Sequence, residues 1–138
     1  MSTEPVNEDT PIVEVKPVVD DPILNLPAGD QAWARETKAS GIVLHVVNIN
    51  GVFYYYRPFT RQEWQVLLDE QDQKAASGDY TQTRLSNELE EAITLRCSLR
   101  PRISRDTIKA YPAGVISSLS DAAMMAAGFQ SASTPIKL

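Results

Sequence analysis

The chain has 138 residues, of which 43% are hydrophobic and 22% charged, and its formal net charge is −5 at pH 7. This length and composition are typical of one globular domain, without collagen-like or fully disordered bias. The single cysteine excludes an internal disulfide framework, and no apolar run approaches the ~20 residues that span a bilayer. The acidic N-terminus has no apolar core, so it is not expected to be a secretory signal.

The first 38 residues are predicted to form an extended, acidic, proline-rich arm. Five of the nine prolines lie in the first 27 residues, and each removes a backbone donor and disfavours helix at the preceding residue. The net charge is −6 over residues 1–37 and +1 over the rest. Apolar islands favour docking of the arm on a partner or on its own body, and a solvated tail is the alternative. The partner-binding candidates of the arm are Ile12, Val13, Val15, Val18 and Val19.

The clearest local pattern is a β-hairpin within residues 42–57. Two runs rich in β-branched and aromatic residues flank Asn50-Gly51. This dipeptide is typical of a type I′ turn, which needs positive φ at both central residues. Because both faces of the hairpin are apolar, one should pack on the body and the other should also be covered.

A helix is predicted from residue 61 to about residue 75. Thr60 and Glu63 fit a capping box, and Phe59 and Trp64 fit a hydrophobic staple. The two devices together place the start of the helix directly after the hairpin.

Further helices are predicted over about 82–99, with a strand as the alternative over 92–99, and over about 114–127. A short helix from Ser104 to Tyr111 is expected between them. Gly128 is expected to end the last helix in a left-handed conformation, with Phe129 as the usual apolar contact. The expected core residues are Trp64, Leu67, Leu85, Leu89, Ile93 and Leu119.

These elements predict an α+β fold, a β-hairpin packed with three to four helices. The compact body covers residues 39–129. It lies between the extended arm over 1–38 and a short tail over 130–138.

Few residues are candidates for catalysis or metal binding. His45 is the only histidine and lies in a strand, where a hydrogen-bonded structural side chain is the simpler interpretation. Cys97 lies on an apolar helical face, which is typical of a buried structural thiol. Glu88 and Glu91 share a helical face and are typical of a solvated surface. No catalytic, cofactor-binding or metal residue is therefore predicted, and a small enzyme using His45 or Cys97 stays an alternative.

A basic stretch over residues 96–109 carries a net charge of +4. Arginine binds carboxylate and phosphate alike, so this stretch is interpreted as solvated surface, as a docking site for an acidic protein segment, or as a nucleic-acid contact. The acidic balance of the whole chain disfavours nucleic acid. The partner-binding candidates of this stretch are Arg96, Arg100, Arg102, Arg105 and Lys109.

Two segments of the chain, residues 46–64 and 111–129, resemble small morphogenesis proteins of tailed bacteriophages. Residues 57–64 read Arg-Pro-Phe-Thr-Arg-Gln-Glu-Trp and fit the pattern R-P-x-[ST]-R-x-E-[aromatic], in which a hairpin leads into a helix. Residues 112–114 read Pro-Ala-Gly and open a helix that finishes in Gly128-Phe129, as at the ends of such proteins. The linking residues 95–101 fit the same plan, and the resemblance covers roughly residues 42–129.

The resemblance, to tail assembly chaperones and baseplate-assembly proteins of contractile-tailed phages, implies a non-enzymatic function in virion morphogenesis. The chain would be a tail or baseplate component or an assembly factor, in the virion or in the host cytoplasm during assembly. Its implied partners are other phage tail or baseplate proteins, or copies of itself, with no cofactor, small-molecule substrate or membrane. The long arm favours a component that stays in the particle. The alternative is a nucleic-acid-binding accessory protein that uses the basic stretch 96–109.

Overall fold

The computed structural model describes residues 21–129 and 136–138, and these form an α+β fold, as predicted. Four antiparallel strands form one sheet, in the order Ser98–Arg100, Val52–Tyr56, His45–Ile49 and Ile136–Lys137. Two short 3₁₀ turns, Pro22–Asn25 and Ile108–Ala110, lie outside the longer elements. The helices are α1 (Ala28–Ala39), α2 (Arg61–Ser77), α3 (Gln82–Cys97) and α4 (Ala113–Ala126), and the strands are β1 (His45–Ile49), β2 (Val52–Tyr56), β3 (Ser98–Arg100) and β4 (Ile136–Lys137).

The β1–β2 hairpin turns at Asn50-Gly51, as predicted. The φ angles are 54° at Asn50 and 85° at Gly51, so both central residues are left-handed. Ile49 pairs with Val52, and the Asn48 side chain accepts a hydrogen bond of 2.8 Å from the Gly51 amide. The turn follows from local chemistry, because only glycine and asparagine adopt this conformation at small cost.

Replacing Gly51 with alanine is expected to destabilise the fold by about 1–2 kcal/mol through backbone conformation alone. No atom lies within 4 Å of the position a Cβ would occupy, so steric overlap adds nothing. Gly29→Ala is the matched control, because Gly29 lies in α1 with equal space and ordinary φ, and this change should be neutral or slightly stabilising. Urea denaturation of both variants measures the difference, and equal stabilities would contradict the prediction.

The sheet has two apolar faces, and both are covered. Alternation along the strands places Tyr54 and Tyr56 on one face and Val46 and Tyr55 on the other. The first face packs with residues of α2, α3 and α4, which include Leu67, Ile93, Cys97 and Leu119. The second face packs with Ile23, Leu26 and Ala34, which precede the hairpin in the chain. The expected cover for the second face is therefore supplied by the chain itself.

Helix α2 begins with the predicted devices. The Thr60 hydroxyl accepts from the Glu63 amide at 3.2 Å, and the Glu63 carboxylate accepts from the Thr60 amide at 2.9 Å. Phe59 stacks on Trp64 with ring centroids 5.4 Å apart. The capping box and the hydrophobic staple are both confirmed.

Helix α4 ends as predicted. Gly128 has φ 105°, and the Gly128 and Phe129 amides donate to the Met125 and Met124 carbonyls, each at 3.0 Å. This pairing satisfies carbonyls at the helix end that have no partner inside the helix.

The predicted arm is wrong over residues 28–38, which belong to helix α1. The prolines disfavour a helix only up to Pro27, since residues 28–39 contain none. Pro27 itself is tolerated directly before a helix. The 3₁₀ turn at 22–25 is a second departure from an extended arm. Residues 1–20, with all five apolar candidates of the arm, lie outside the described part of the chain.

The predicted tail and the predicted end of α3 also differ from the structure. Helix α3 ends at Cys97, and 98–100 form strand β3, so the strand alternative over 92–99 is wrong for residues 92–97 and holds only for 98–99. The expected short helix from Ser104 to Tyr111 is reduced to the 3₁₀ turn at 108–110. The chain end pairs as β4 with the open edge of β1, and Leu138 is buried. A strand edge with unpaired backbone groups accepts such an addition readily.

Candidate interaction surfaces

Four side chains hold α1 on the second face of the sheet. The Tyr55 hydroxyl donates to Asp30 at 2.8 Å, and the Arg100 guanidinium pairs with the same carboxylate at 3.0 Å. Arg100 also lies over the Trp33 ring at 5.2 Å, and that ring meets Tyr55 edge-on at 5.0 Å. Burial of the Tyr55 hydroxyl, together with its bond to Asp30, raises the pKa of Tyr55. Arg100, a predicted partner-binding residue, therefore serves to fasten the N-terminal helix.

Glu63 is the centre of a second polar cluster, where α2, α3 and the end of β2 meet. Arg57 donates to both carboxylate oxygens, at 2.8 and 2.9 Å, and Arg96 lies 3.7 Å away. The Arg57 hydrogen bonds lower the pKa of Glu63 to about 2, although partial burial opposes them. The Arg57 amide also donates to the Cys97 carbonyl at 3.0 Å. Glu63 thus connects the start of α2 to the end of α3.

Arg102 is likewise engaged inside the chain. Its Nη1 atom donates to Ser98 Oγ at 2.9 Å, to the Ile103 carbonyl at 3.0 Å and to the Leu95 carbonyl. It thereby satisfies carbonyls at the end of α3. Of the five predicted basic candidates, only Arg105 and Lys109 make neither an ion pair nor a side-chain hydrogen bond with any described residue, and both are exposed.

Those two exposed bases line separate recesses. Arg105 borders a recess of about 230 Å³ between α2 and α3, which is floored by Leu67 and Leu95 and also contains Glu70 and Arg96. Lys109 borders a recess of about 380 Å³ between α3 and α4. That recess is lined by Asn87, Glu90, Glu91, Ile108, Lys109, Tyr111, Ala113, Ile116 and Ser117. The recess of Arg105 contains Glu70, and the recess of Lys109 contains Glu90 and Glu91. Because the two bases line different recesses and each recess holds an acid, the five predicted candidates do not form one cationic patch.

An aromatic groove lies where the start of α2 meets the end of α4. Phe129 packs on Trp64 at 5.0 Å and on Phe59 at 6.1 Å, and these contacts join two segments that are far apart in sequence. Phe129 is 39% exposed, although it is a large aromatic residue. The groove encloses about 130 Å³ and is lined by Phe59, Thr60, Arg61, Trp64, Ala127 and Phe129.

The candidate catalytic residues occupy structural positions. His45 is buried beside Tyr56, with ring centroids 5.5 Å apart, and its Nδ1 atom has no hydrogen-bond partner among the described residues. Burial lowers the pKa of His45. Cys97 is buried, which raises the pKa of its thiol to about 12 and leaves little of the nucleophilic thiolate.

Two of the three glutamates of α3 pair with neighbouring helices, and Glu91 is not one of them. Glu88 pairs with Lys74 at 2.9 Å, and Glu90 accepts from Ser117 Oγ at 2.9 Å. Within residues 21–129 and 136–138, no group of three or more histidine, cysteine or acidic side chains could hold a metal ion. In the same ranges, no helix has the length and apolar character needed to cross a membrane.

Comparisons of the chain with protein-family models, curated proteins and solved structures gave no significant match.

Proposed function

We propose that this protein is a non-enzymatic component or assembly factor of a bacteriophage tail or baseplate, and that it acts through contacts with other tail proteins or with copies of itself. Its place would be the virion, or the host cytoplasm while particles assemble. One observation carries the proposal: the two segments that resemble phage morphogenesis proteins and the segment that links them contact one another, although the contacting residues Trp64 and Phe129 are 65 positions apart.

The contacts between these segments are specific. The segment 57–64 contacts the linking segment 95–101 through the ion pairs of Glu63 and the Arg57–Cys97 backbone bond. It contacts the end of α4 through Phe59, Trp64 and Phe129. These contacts join the three segments into one packed unit, which supports their interpretation as one structural motif.

The chemistry of the described residues favours protein contacts over catalysis. The one histidine and the one cysteine are buried, and the polar clusters join helices and strands to each other. In contrast, an aromatic groove and the exposed apolar residues Leu24, Val43, Val52 and Val66 are available at the surface. Aromatic side chains in partly exposed recesses are typical anchors of protein interfaces.

Quantitative mass spectrometry of purified particles of the encoding phage tests the proposal. A fixed copy number per particle identifies a structural component. Absence from particles, combined with loss of tails when the gene is deleted, identifies an assembly factor. Normal particles that lack the protein, from a deletion that leaves tail assembly intact, would overturn the proposal.

We expect the isolated protein to show no salt-dependent binding to duplex DNA. Three of the five basic candidates are engaged inside the chain, so few cations are left to displace counterions from phosphates. Fluorescence anisotropy with a labelled oligonucleotide, between about 50 and 200 mM salt, measures this. Binding that weakens steeply with salt and is abolished by Arg105→Glu with Lys109→Glu would favour the nucleic-acid alternative.

A further inference from the structure

The aromatic groove has the chemistry of a site for a proline-containing acidic segment. Three aromatic rings form its walls, and grooves lined by aromatic rings recognise the pyrrolidine ring and the extended backbone of proline-rich chains. Its volume of about 130 Å³ accommodates one or two small apolar side chains. Arg61 stands at the rim, is exposed and makes no ion pair with any described residue. None of the described residues that line the groove is acidic, so its charge complements an acidic ligand.

The chain itself contains such a segment, in residues 1–20. An acid precedes each proline there by one to three positions, in Glu4-Pro5, Asp9-Thr10-Pro11 and Glu14-Val15-Lys16-Pro17. The segment has a net charge of −4. Its small β-branched residues, among them Val6 and Ile12, match the size of the groove.

The length of this segment permits it to reach the groove from its own body. The segment starts from Asp21, which is held by a 3.3 Å contact with Arg35 beside the buried Ile23. When extended, the chain spans about 33 Å from there to Pro11 and about 50 Å to Pro5. A folded chain of this size has a radius of gyration of about 14 Å. The acid–proline repeats can therefore pass around the sheet edge to the opposite side.

We infer that the aromatic groove binds the acid–proline segment Glu4–Pro17 of the same chain. A proline of the segment lies against Phe59, Trp64 and Phe129, and a neighbouring acid pairs with Arg61. Because the segment is tethered, its effective concentration at the groove is in the millimolar range, which favours its own groove over that of a second molecule. The inference concerns the isolated chain and does not depend on a function in phage assembly.

Paramagnetic relaxation in the full chain tests this inference. A spin label on Thr10→Cys is selective, because the native Cys97 is buried and its thiol is protonated. The two tryptophan indoles are the reporters: Trp64 lines the groove, and Trp33 lies on the other face of the sheet. We expect severe loss of the Trp64 indole signal and little change at Trp33.

Matched variants identify the contacts. Joint replacement of Pro5, Pro11 and Pro17 by alanine should restore the Trp64 signal, whereas Asn7→Ala, in the same segment, should not. Phe129→Ser should also restore it. Arg61→Ala is a second variant on the groove side and should also restore the Trp64 signal, because it removes the cation that pairs with the acid. Arg61 is exposed, so its removal leaves the core intact.

Several results would overturn the inference. Equal attenuation of both indoles, or no effect at Trp64, means that the segment does not select the groove. Attenuation that survives the three proline changes means that charge or another part of residues 1–20, and not a proline, brings the label to the groove. Attenuation of Trp64 in an unlabelled isotope-enriched chain mixed with a spin-labelled one assigns the groove to the segment of a second copy. Each of these outcomes leaves the particle experiment unaffected.

Discussion

Replacing Ala34 with glutamate is expected to release α1 from the sheet while the hairpin and helices α2–α4 stay folded. Ala34 is 0% exposed and packs in the cluster that contains Leu44, Val46 and Tyr55. A carboxylate at this position would be buried without a partner, which costs several kcal/mol, more than a single helix on an open sheet face can sustain. The core on the other face, around Leu67 and Ile93, does not involve Ala34.

Hydrogen exchange measures this release. The amides of residues 28–39 should lose protection, and those of α3 should keep it. Ala32→Glu is the matched control, since Ala32 lies two residues away on α1 and is exposed, and this variant should exchange like the native chain. Loss of protection throughout the chain would show instead that the two apolar clusters unfold as one unit.

Replacing Glu63 with glutamine is expected to lower the free energy of unfolding by about 2–3 kcal/mol near neutral pH. The change removes the charge that Arg57 and Arg96 face, and it leaves two partly buried guanidinium groups without their counterion. It also weakens the capping box, because the Thr60 amide donates to the same side chain. Urea denaturation measures the loss, and Asp69→Asn, an exposed acid on the same helix, serves as the control.

The cost of the Glu63 change should depend on pH. The pKa of Glu63 is about 2 in the folded chain, below its ordinary value of 4.5, so the unfolded chain takes up the proton first as the pH falls. The stabilisation by Glu63 is therefore complete above about pH 4.5 and is lost progressively towards pH 2. The difference between the native chain and the variant should narrow over that interval, and a constant difference would contradict the ion-pair explanation.

Both predictions concern positions that decide which surfaces are open to a partner. Ala34 controls whether α1 covers the Tyr55 face of the sheet, and Glu63 holds α2, whose first turn forms one wall of the aromatic groove. A variant that loses binding to a partner can therefore be examined for these two structural causes before a direct contact is assigned.

The local features of this protein follow from short stretches of its sequence. The turn at Asn50-Gly51, the capping box of α2 and the left-handed end of α4 were all predictable, because each depends on residues within a few positions of one another. The α+β class followed from the same patterns, since a hairpin and helices with apolar faces have few ways to bury them.

The roles of residues that are distant in sequence depend on packing and become visible in the three-dimensional fold. Asp30 and Arg100 are 70 positions apart and fasten α1, so an arginine that resembled a free docking residue is part of the fold. The aromatic groove likewise joins Trp64 to Phe129, and neither residue alone indicates it. Charge and apolar patterns show what a side chain can do, but many partners in the chain satisfy the same pattern. The choice among these partners depends on packing. Two residues so far apart in sequence make contact only when the apolar clusters on the two faces of the sheet bring them together.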